Sequence, residues 1–328
     1  MNVSVSSAGF LTTVQDLGRA GFRRFGVVVG GALDPHSLRV ANILAGNDES
    51  AAGLEVTLGN LRLRFADNRV VAWCGGPFVV RIADNDFPAG HAGLIAANEE
   101  LLIAAPESGS RAWLAISGGI ELASVFGSRS TDLRGKFGGI DGRPLSDGEI
   151  LPLGNISERT HRITDALHER KISEWSAPAP WIANKKGERF LRIIRGSDWP
   201  RFAPDAQSAL LREQFIVQPD SDRMGARLTG TSLIRADSEE LLSEAVAPGT
   251  LQVPPNGEPI LLLGDCQTIG GYPKIAHVIT VDLPIAAQLG PGDSVRFSEV
   301  TLVEAQQLLL EREENLARFR IGMQLRTS

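Results

Sequence analysis

Apolar runs in this chain stop at strand length, and Gly, Pro, Asp or Asn holds the positions where they stop. The segments NLRLRFA (60–66), FVVRIAD (78–84), RAWLAISGG (111–119), RFLRIIRG (189–196), PILLLG (259–264) and HVITVDL (277–283) are rich in branched apolar residues and bounded by turn formers. Gly supplies 35 of the 328 residues, above the usual share of about 7%. The pattern predicts a mainly β protein with many tight corners and a few helices. A corner with Asn or Asp-Gly chemistry followed by a short strand recurs in ANEELLIAAP (97–106), LSDGEILPLG (145–154) and LGPGDSVRFS (289–298), as where a barrel strand begins. Both an internal duplication and the ordinary repetition of turn and strand fit this recurrence.

Two helices are marked by their ends. In DPHSLRVANILAG (34–46), Asp34 is placed as N-cap, Pro35 at the first helical position and Gly46 at the close. Leu38, Ala41 and Ala45 then share one stripe, and Arg39 and Asn42 another. Near the C-terminus, Thr301 and Glu304 have capping-box spacing ahead of LVEAQQLLLEREENLARF. Leu302, Ala305, Leu309, Leu316 and Phe319 are expected on the buried stripe of that helix, packed outside a sheet. The charged stretch from 155 to 188, punctuated by SAPAPW (176–181), has linker composition. The expected organisation is an N-terminal β-barrel-like half over 1–155, a linker over 156–188, and a C-terminal half with the final helix over 189–328.

A formal net charge of −6 and a pI near 5.5 argue against nucleic acid or an anionic membrane as partner, since both need clustered positive charge. No apolar run is long enough to span a bilayer, and the first residues lack a basic region ahead of an apolar core. Cys74 and Cys266 lie far apart and form no metal or redox spacing, so a cytoplasmic protein with reduced thiols is expected. His36, His91, His161, His168 and His277 are scattered, and no metal site is expected. The chain has no Gly-x4-Gly-Lys-Ser/Thr phosphate loop, no His-Glu-x-x-His helix and no Gly-x-Ser-x-Gly elbow.

Four polar, Gly-rich stretches remain as candidate sites. GDCQTIGGYPKIA (264–276) holds the chain's one tyrosine. Alternation puts Asp265 and Gln267 on one face and Cys266 on the other, while Gly270 and Gly271 permit positive φ or close backbone approach. N–H groups of such a turn can bind an oxyanion, and a tight hairpin with tyrosine packed over glycine explains the residues equally well. TTVQDLGRAGFRRFGVVVGGALD (12–34) offers Asp16, Arg19, Arg23 and Arg24 either to a small carboxylate substrate or to a local Asp–Arg pair in a solvated loop. SDRMGARLTG (221–230), with Asp222 and Arg223, reads first as a turn, and STDLRGKFGGIDGR (130–143) as a mobile loop.

These stretches, with GALDPHSLRVANILAGN, LEVTLGNLRLRF and QVPPNGEPILLLGDCQTIGGYPKIAHVITVDLPIAAQLGPGD, occur in the order that resembles the family of 5-oxoprolinase C subunits, also called the KipA or allophanate-hydrolase-subunit-2 type. That family is similar to part of the carboxyltransferase region of urea carboxylase, and the resemblance covers nearly all of residues 10–300. It implies two cyclophilin-like β-barrel halves and ATP-dependent opening of 5-oxoproline to glutamate. It also implies two partners, the 5-oxoprolinase B subunit of KipI type and the A subunit of LamB/YcsF type. ATP, with Mg, would then be held at the level of the complex. Carried over residue by residue, it implies proton transfer by Asp265 or Asp16, with Gln267 beside them. Carboxylate or phosphate would be held by Arg19 and Arg223, and Thr268, Gly270, Gly271 and Tyr272 would frame the substrate. Ile269 stands where many members have a second threonine. Two alternatives follow from the same resemblance: a carboxyltransferase acting on urea or a related amide, with biotin on other subunits, and a regulatory protein that binds a KipI-type kinase inhibitor.

Overall fold

The computed structural model describes residues 1–106, 108–182, 189–237 and 241–326, and the chain divides into two compact units. The first comprises Met1–Arg19, Asp34–Lys185 and Asn315–Ser328; the second comprises Ala20–Leu33 and Lys186–Glu314. The 156–188 stretch is therefore not a bare linker. Glu158–Leu167 is a helix capped by Ser157, whose side chain accepts from Thr160 N, and Ile172–Ser176 joins a sheet. Ile163 and Leu167 on that helix are buried against Val70, Ala92 and Leu94, an apolar anchor that its charged composition hides. Residues 183–188 of the expected linker lie outside the described residues.

The first unit is built on two six-stranded sheets. One runs Ile150–Pro152, Asn2–Ala8, Leu61–Phe65, Glu100–Ile103, Val80–Ile82, Asn85–Asp86; the other runs Ile172–Ser176, His91–Ile95, Arg69–Gly75, Arg111–Ile116, Gly53–Thr57, Leu11–Gln15. Leu61, Leu63 and Phe65 point inward while Arg62 and Arg64 face out, the alternation of a half-buried strand. They meet Leu54, Val56, Val71, Trp73, Leu114 and Ile116 of the second sheet in one core. The outer face of the second sheet is covered as well, so Arg69–Gly75 and Arg111–Ile116 are buried along their whole length. The cover is the Pro35–Ala45 helix, whose Val40, Ala41, Ile43 and Leu44 pack on Ala72, Cys74 and Ala115.

That helix ends as its sequence dictates: Asp34 accepts from Ser37 N at 2.9 Å, and Gly46 takes φ +80°. Its polar stripe differs from expectation. Asn42 is fully buried and donates to Ala51 O at 2.8 Å, because the loop after the helix folds back over it. The final helix, Leu302–Arg326, opens on the expected capping box, with Thr301 N donating to Glu304 at 2.7 Å and Glu304 N to Thr301 Oγ1 at 3.2 Å. Its buried face is narrower than expected: Leu316 and Met323 are buried, whereas Leu302 is 56% exposed.

In the second unit seven strands close into a barrel in the order Arg189–Arg195, Lys274–Val278, Thr250–Gln252, Ile260–Leu262, Gly225–Thr229, Phe215–Val217, Ser294–Glu299. The last strand returns to the first by parallel pairing, Leu191 opposite Phe297. Leu191, Ile193, Phe215, Val217, Leu228, Leu251, Leu261, Ile275, Val295 and Phe297 are all buried. The segment expected as a strand over 277–283 leaves the barrel after Val278 and turns helical over Thr280–Asp282 and Leu283–Ala286. Asp282 is the cause: its carboxylate takes Arg192 N at 2.7 Å and Arg192 Nε at 2.9 Å, and Pro284 follows in the helical first turn.

The three recurrent corners share one device. Asn98, Gly148 and Gly292 all have positive φ, and in each corner the next residue's carboxylate accepts a backbone N–H three positions back. Those bonds are Ala96 N to Glu99, Ser146 N to Glu149 and Gly290 N to Asp293, at 2.8, 3.0 and 2.9 Å.

Candidate functional site

The segment from Gly264 to Ala276 leaves one barrel strand, crosses the barrel's end and returns as Lys274–Val278. Its residues separate into a closed half and an open half. Asp265, 7% exposed, takes Arg223 Nε at 2.8 Å and Nη2 at 3.1 Å, a bidentate pair, and Arg223 Nη2 also donates to Gly31 O at 2.7 Å. Backbone reinforces the pair, with Asp265 N donating to Arg223 O at 3.1 Å. Cys266 is buried in a cluster with Val246 and Leu262. Burial there pushes its thiol pKa up to about 11.

Beyond Cys266 the chain opens. Gln267 Nε2 donates to Gln252 Oε1 at 3.2 Å, and Gln252 Nε2 donates to Tyr272 O at 3.1 Å. This relay fixes both amides, so Gln267 Oε1 is oriented as an acceptor at the open end. Ile269–Gly270 pairs with Glu244–Ala245 as a short ribbon, and Thr268 O accepts from Val246 N at 3.1 Å. Neither Gly270 nor Gly271 has positive φ; at Gly270 the requirement is space, since a Cβ would lie 2.8 Å from Gln252 Nε2. Tyr272 is 46% exposed and lines two hollows. One, of about 210 Å³, is walled by Asp222, Met224, Arg227, Gln252 and Gln267; the other, of about 550 Å³, by Arg235, Asp237, Leu241, Pro254 and Gly271.

A line of alternating charges ends at Asp237 and Arg235 on the wall of the larger hollow. Lys274, 7% exposed, reaches Glu244 at 2.7 Å and Asp198 at 3.6 Å; Asp198 lies 3.6 Å from Arg201, and Arg201 lies 3.5 Å from Asp237, which also pairs with Arg235. Motif spacing points to neither this line nor Gln252. Gln252 is detectable in principle as an amide inside an apolar strand, LQV, where an unpaired amide would be costly.

Asp16 and Arg19 belong to the first unit, whereas Asp265, Gln267 and Arg223 belong to the second. Asp16 Oδ1 accepts from Ser128 Oγ at 2.6 Å, Ser130 Oγ at 2.6 Å and Gly18 N at 2.8 Å, and Oδ2 accepts from Arg129 N at 2.6 Å. Arg19 is fully buried, donates to Ser130 O and lies 4.6 Å from the Phe137 ring centroid. The 130–143 stretch, expected as a mobile loop, is thereby tied down. Thr131 N also donates to Val14 O at 2.9 Å, and Asp132 accepts from Gly135 N at 2.7 Å. Asp222 is a turn residue, accepting from Met224 N at 2.7 Å.

Among the described residues no three His, Cys, Asp or Glu side chains gather as a metal set, and no helix is long and apolar enough to cross a membrane.

A model of the carboxyltransferase domain, subdomains A and B, matches residues 25–299 of this chain. The C subunit of 5-oxoprolinase from Escherichia coli (strain K12) is 39% identical over 92% of this chain and 93% of its own length. The protein of the same name from Haemophilus influenzae is 36% identical over 94% of each. The urea amidolyase of Lachancea kluyveri is 30% identical over 93% of this chain, which spans 17% of that longer protein. Among solved structures, the Kluyveromyces lactis urea carboxylase is similar with a TM-score of 0.88 at 25% identity, over 98% of this chain and 29% of that one.

Proposed function

Because this chain belongs to the carboxyltransferase domain family, subdomains A and B, we propose that it is the C-type subunit of an ATP-dependent 5-oxoprolinase, a hydrolase complex that opens 5-oxoproline to glutamate. The observation that carries the reading is identity of 39% to a C subunit of 5-oxoprolinase, across 93% of that protein's length. Its partners in this reading are the B subunit of KipI type and the A subunit of LamB/YcsF type, in the cytoplasm.

A lactam carbonyl resists water because nitrogen lone-pair donation quenches it. Transfer of the γ-phosphoryl group from ATP to the lactam oxygen, with release of ADP, removes that protection; water then attacks the carbon, the C–N bond breaks as the nitrogen takes a proton, and a second water releases phosphate from the acyl phosphate to leave glutamate. The cations near the barrel-end hollows are already committed, Arg227 to Asp220 at 3.0 Å and Arg235 to Asp237. Their pairing supports the reading in which ATP, with its Mg, would be held at the level of the assembled complex. This chain's contribution is positioning. Gln267 Oε1, oriented by Gln252, would accept from the lactam N–H or the attacking water. Tyr272 would supply a half-exposed wall and hydroxyl, and the Thr268–Gly271 backbone would meet the developing oxyanion. Arg223 and Asp265 would act through the loop they lock, and Asp16 and Arg19 through the 128–138 segment they anchor.

The test is reconstitution: the three subunits purified together should release glutamate from 5-oxoproline with ATP consumption, and omission of this chain should abolish it. A complete complex without 5-oxoproline turnover would refute the proposal. The family description and the urea amidolyase likeness favour a second reading, carboxyl transfer to a urea-like nitrogen, with biotin carried by another chain. It predicts a biotinylated protein in the purified complex. A regulatory role, binding a KipI-type kinase inhibitor, would instead survive alanine at Gln267, which lies outside the buried Arg223–Asp265 pair.

A further inference from the structure

A cleft of about 530 Å³ opens in the first unit beside the Pro35–Ala45 helix, with Arg39, Arg159 and Arg320 on its wall together with Asp48 and Glu49. Three guanidinium groups against two carboxylates leave one positive charge uncompensated. The pairing shows where it resides. Glu49 serves two arginines, its Oε2 lying 2.7 Å from Arg39 Nε and its Oε1 2.7 Å from Arg320 Nη1. Asp48 is turned onto its own loop: Oδ1 accepts from Ser50 Oγ at 2.5 Å and Ser50 N at 2.9 Å, and these bonds hold its carboxyl below the usual range.

Arg159 has no carboxylate among the described residues. One N–H goes to Ile43 O at the carbonyl end of the Pro35–Ala45 helix, while Nε is buried without an acceptor. Burial, with the neighbouring charge of Arg162, lowers its pKa. Capping a helix end by a cation is an ordinary role, but it uses one donor of five and needs no planar fork. A half-buried guanidinium with donors to spare, on the wall of a hollow, lacks an anion.

We infer that this cleft binds a small oxyanion, a carboxylate or a phosphate, whose oxygens take the remaining guanidinium donors of Arg159. Asp48 and Glu49 on the same wall repel heavily charged ligands, which limits the ligand to one or two negative charges. The inference does not rest on the 5-oxoprolinase reading, since none of these residues belongs to the barrel-end turn.

Isothermal titration of the full chain at low ionic strength, with inorganic phosphate and with succinate as separate probes, tests it. Saturable one-to-one binding of at least one probe is expected, weakened at least about tenfold by R159Q, since a hydrogen bond to a charged group is lost. E49Q, which releases Arg39 and Arg320 from their shared carboxylate, should tighten binding several-fold, and it decides the matter alone if R159Q does not fold. Binding of phosphate only assigns a phosphate-bearing ligand, and of succinate only a carboxylate. No saturable binding of either probe, equal affinity in R159Q, or no tightening in E49Q overturns the inference.

Discussion

Asp265 and Gln267 are two residues apart on one loop, yet their surroundings differ in kind. The carboxylate is buried, with both oxygens on Arg223. The amide gives its nitrogen to Gln252 and keeps its oxygen at the mouth of a hollow. Asp16 resembles Asp265 in this respect, with four donors on its two oxygens. A carboxylate so occupied holds backbone in place, and freeing it to meet a substrate means breaking several charge-assisted bonds first. A residue with one satisfied and one presented group can meet substrate without unfolding its own support. The difference teaches that an ionisable residue in a Gly-rich motif is not thereby a reacting group, and that here the neutral half of the motif is better placed for chemistry.

The sharpest way to break this contrast is to remove one partner of the buried pair. R223M should leave Asp265 as an uncompensated buried charge and destabilise the chain by about 3–5 kcal/mol, whereas R223M/D265L should recover most of that loss. Urea unfolding of both variants measures it. If R223M instead kept full stability and lost only turnover, the pair would be functional and the contrast would fall. D16N should come next, at about 2 kcal/mol, because an amide nitrogen would then face Ser128, Ser130 or Arg129 N where an acceptor is required. Loss of order over 128–138, read by amide exchange, should accompany it.

The contrast also marks how far sequence reasoning reaches. Corners, caps and alternation are local properties, so spacing alone places Asp34, Gly46, Thr301 and Glu304, and the three recurrent corners share one geometry. Strand period points Cys266 inward and Asp265 to the other face with Gln267, but the segment is a turn and Asp265 is buried as well as Cys266. Partners distant in sequence are not legible. Arg223 and Asp265 are 42 residues apart, and Asp16 and Ser130 are 114 apart, so nothing local shows that each carboxylate is already taken. The same limit hides Ile163 and Leu167, whose apolar partners lie on distant strands, and makes a docked helix look like linker. The Gln252–Gln267 relay is invisible because an amide pair between a strand and a distant loop leaves no motif.

On the open side, Q267A should leave stability within about 0.5 kcal/mol, as for a residue outside the core. Under the proposed function it should lower 5-oxoproline turnover by about tenfold, the scale of one lost hydrogen bond to the reacting group. Paired unfolding and turnover measurements on the reconstituted complex separate the two effects. A large stability loss would move Gln267 to the closed side of the comparison.

The smallest effect concerns His277, which shares the returning strand. It is half-buried, its Nδ1 lies 3.2 Å from Thr250 Oγ1, and burial, with the Lys274 charge adding to it, lowers its pKa below 6.5. Unfolded, the imidazole titrates near its ordinary value of about 6.5. Between that value and the depressed folded one, the unfolded chain binds the proton more readily, so stability is undiminished above about pH 6.5 and declines as pH falls through the window. The carboxylates held low by their partners, Glu99 by Lys171 and Glu149 by Arg143, act below the ordinary glutamate range and so do not overlap it. Urea midpoints from pH 8 to pH 5 should show the decline in the native chain and its disappearance in H277Q. A decline that persists in H277Q would assign it to another group and would leave the returning strand as closed to protons as the pair that precedes it.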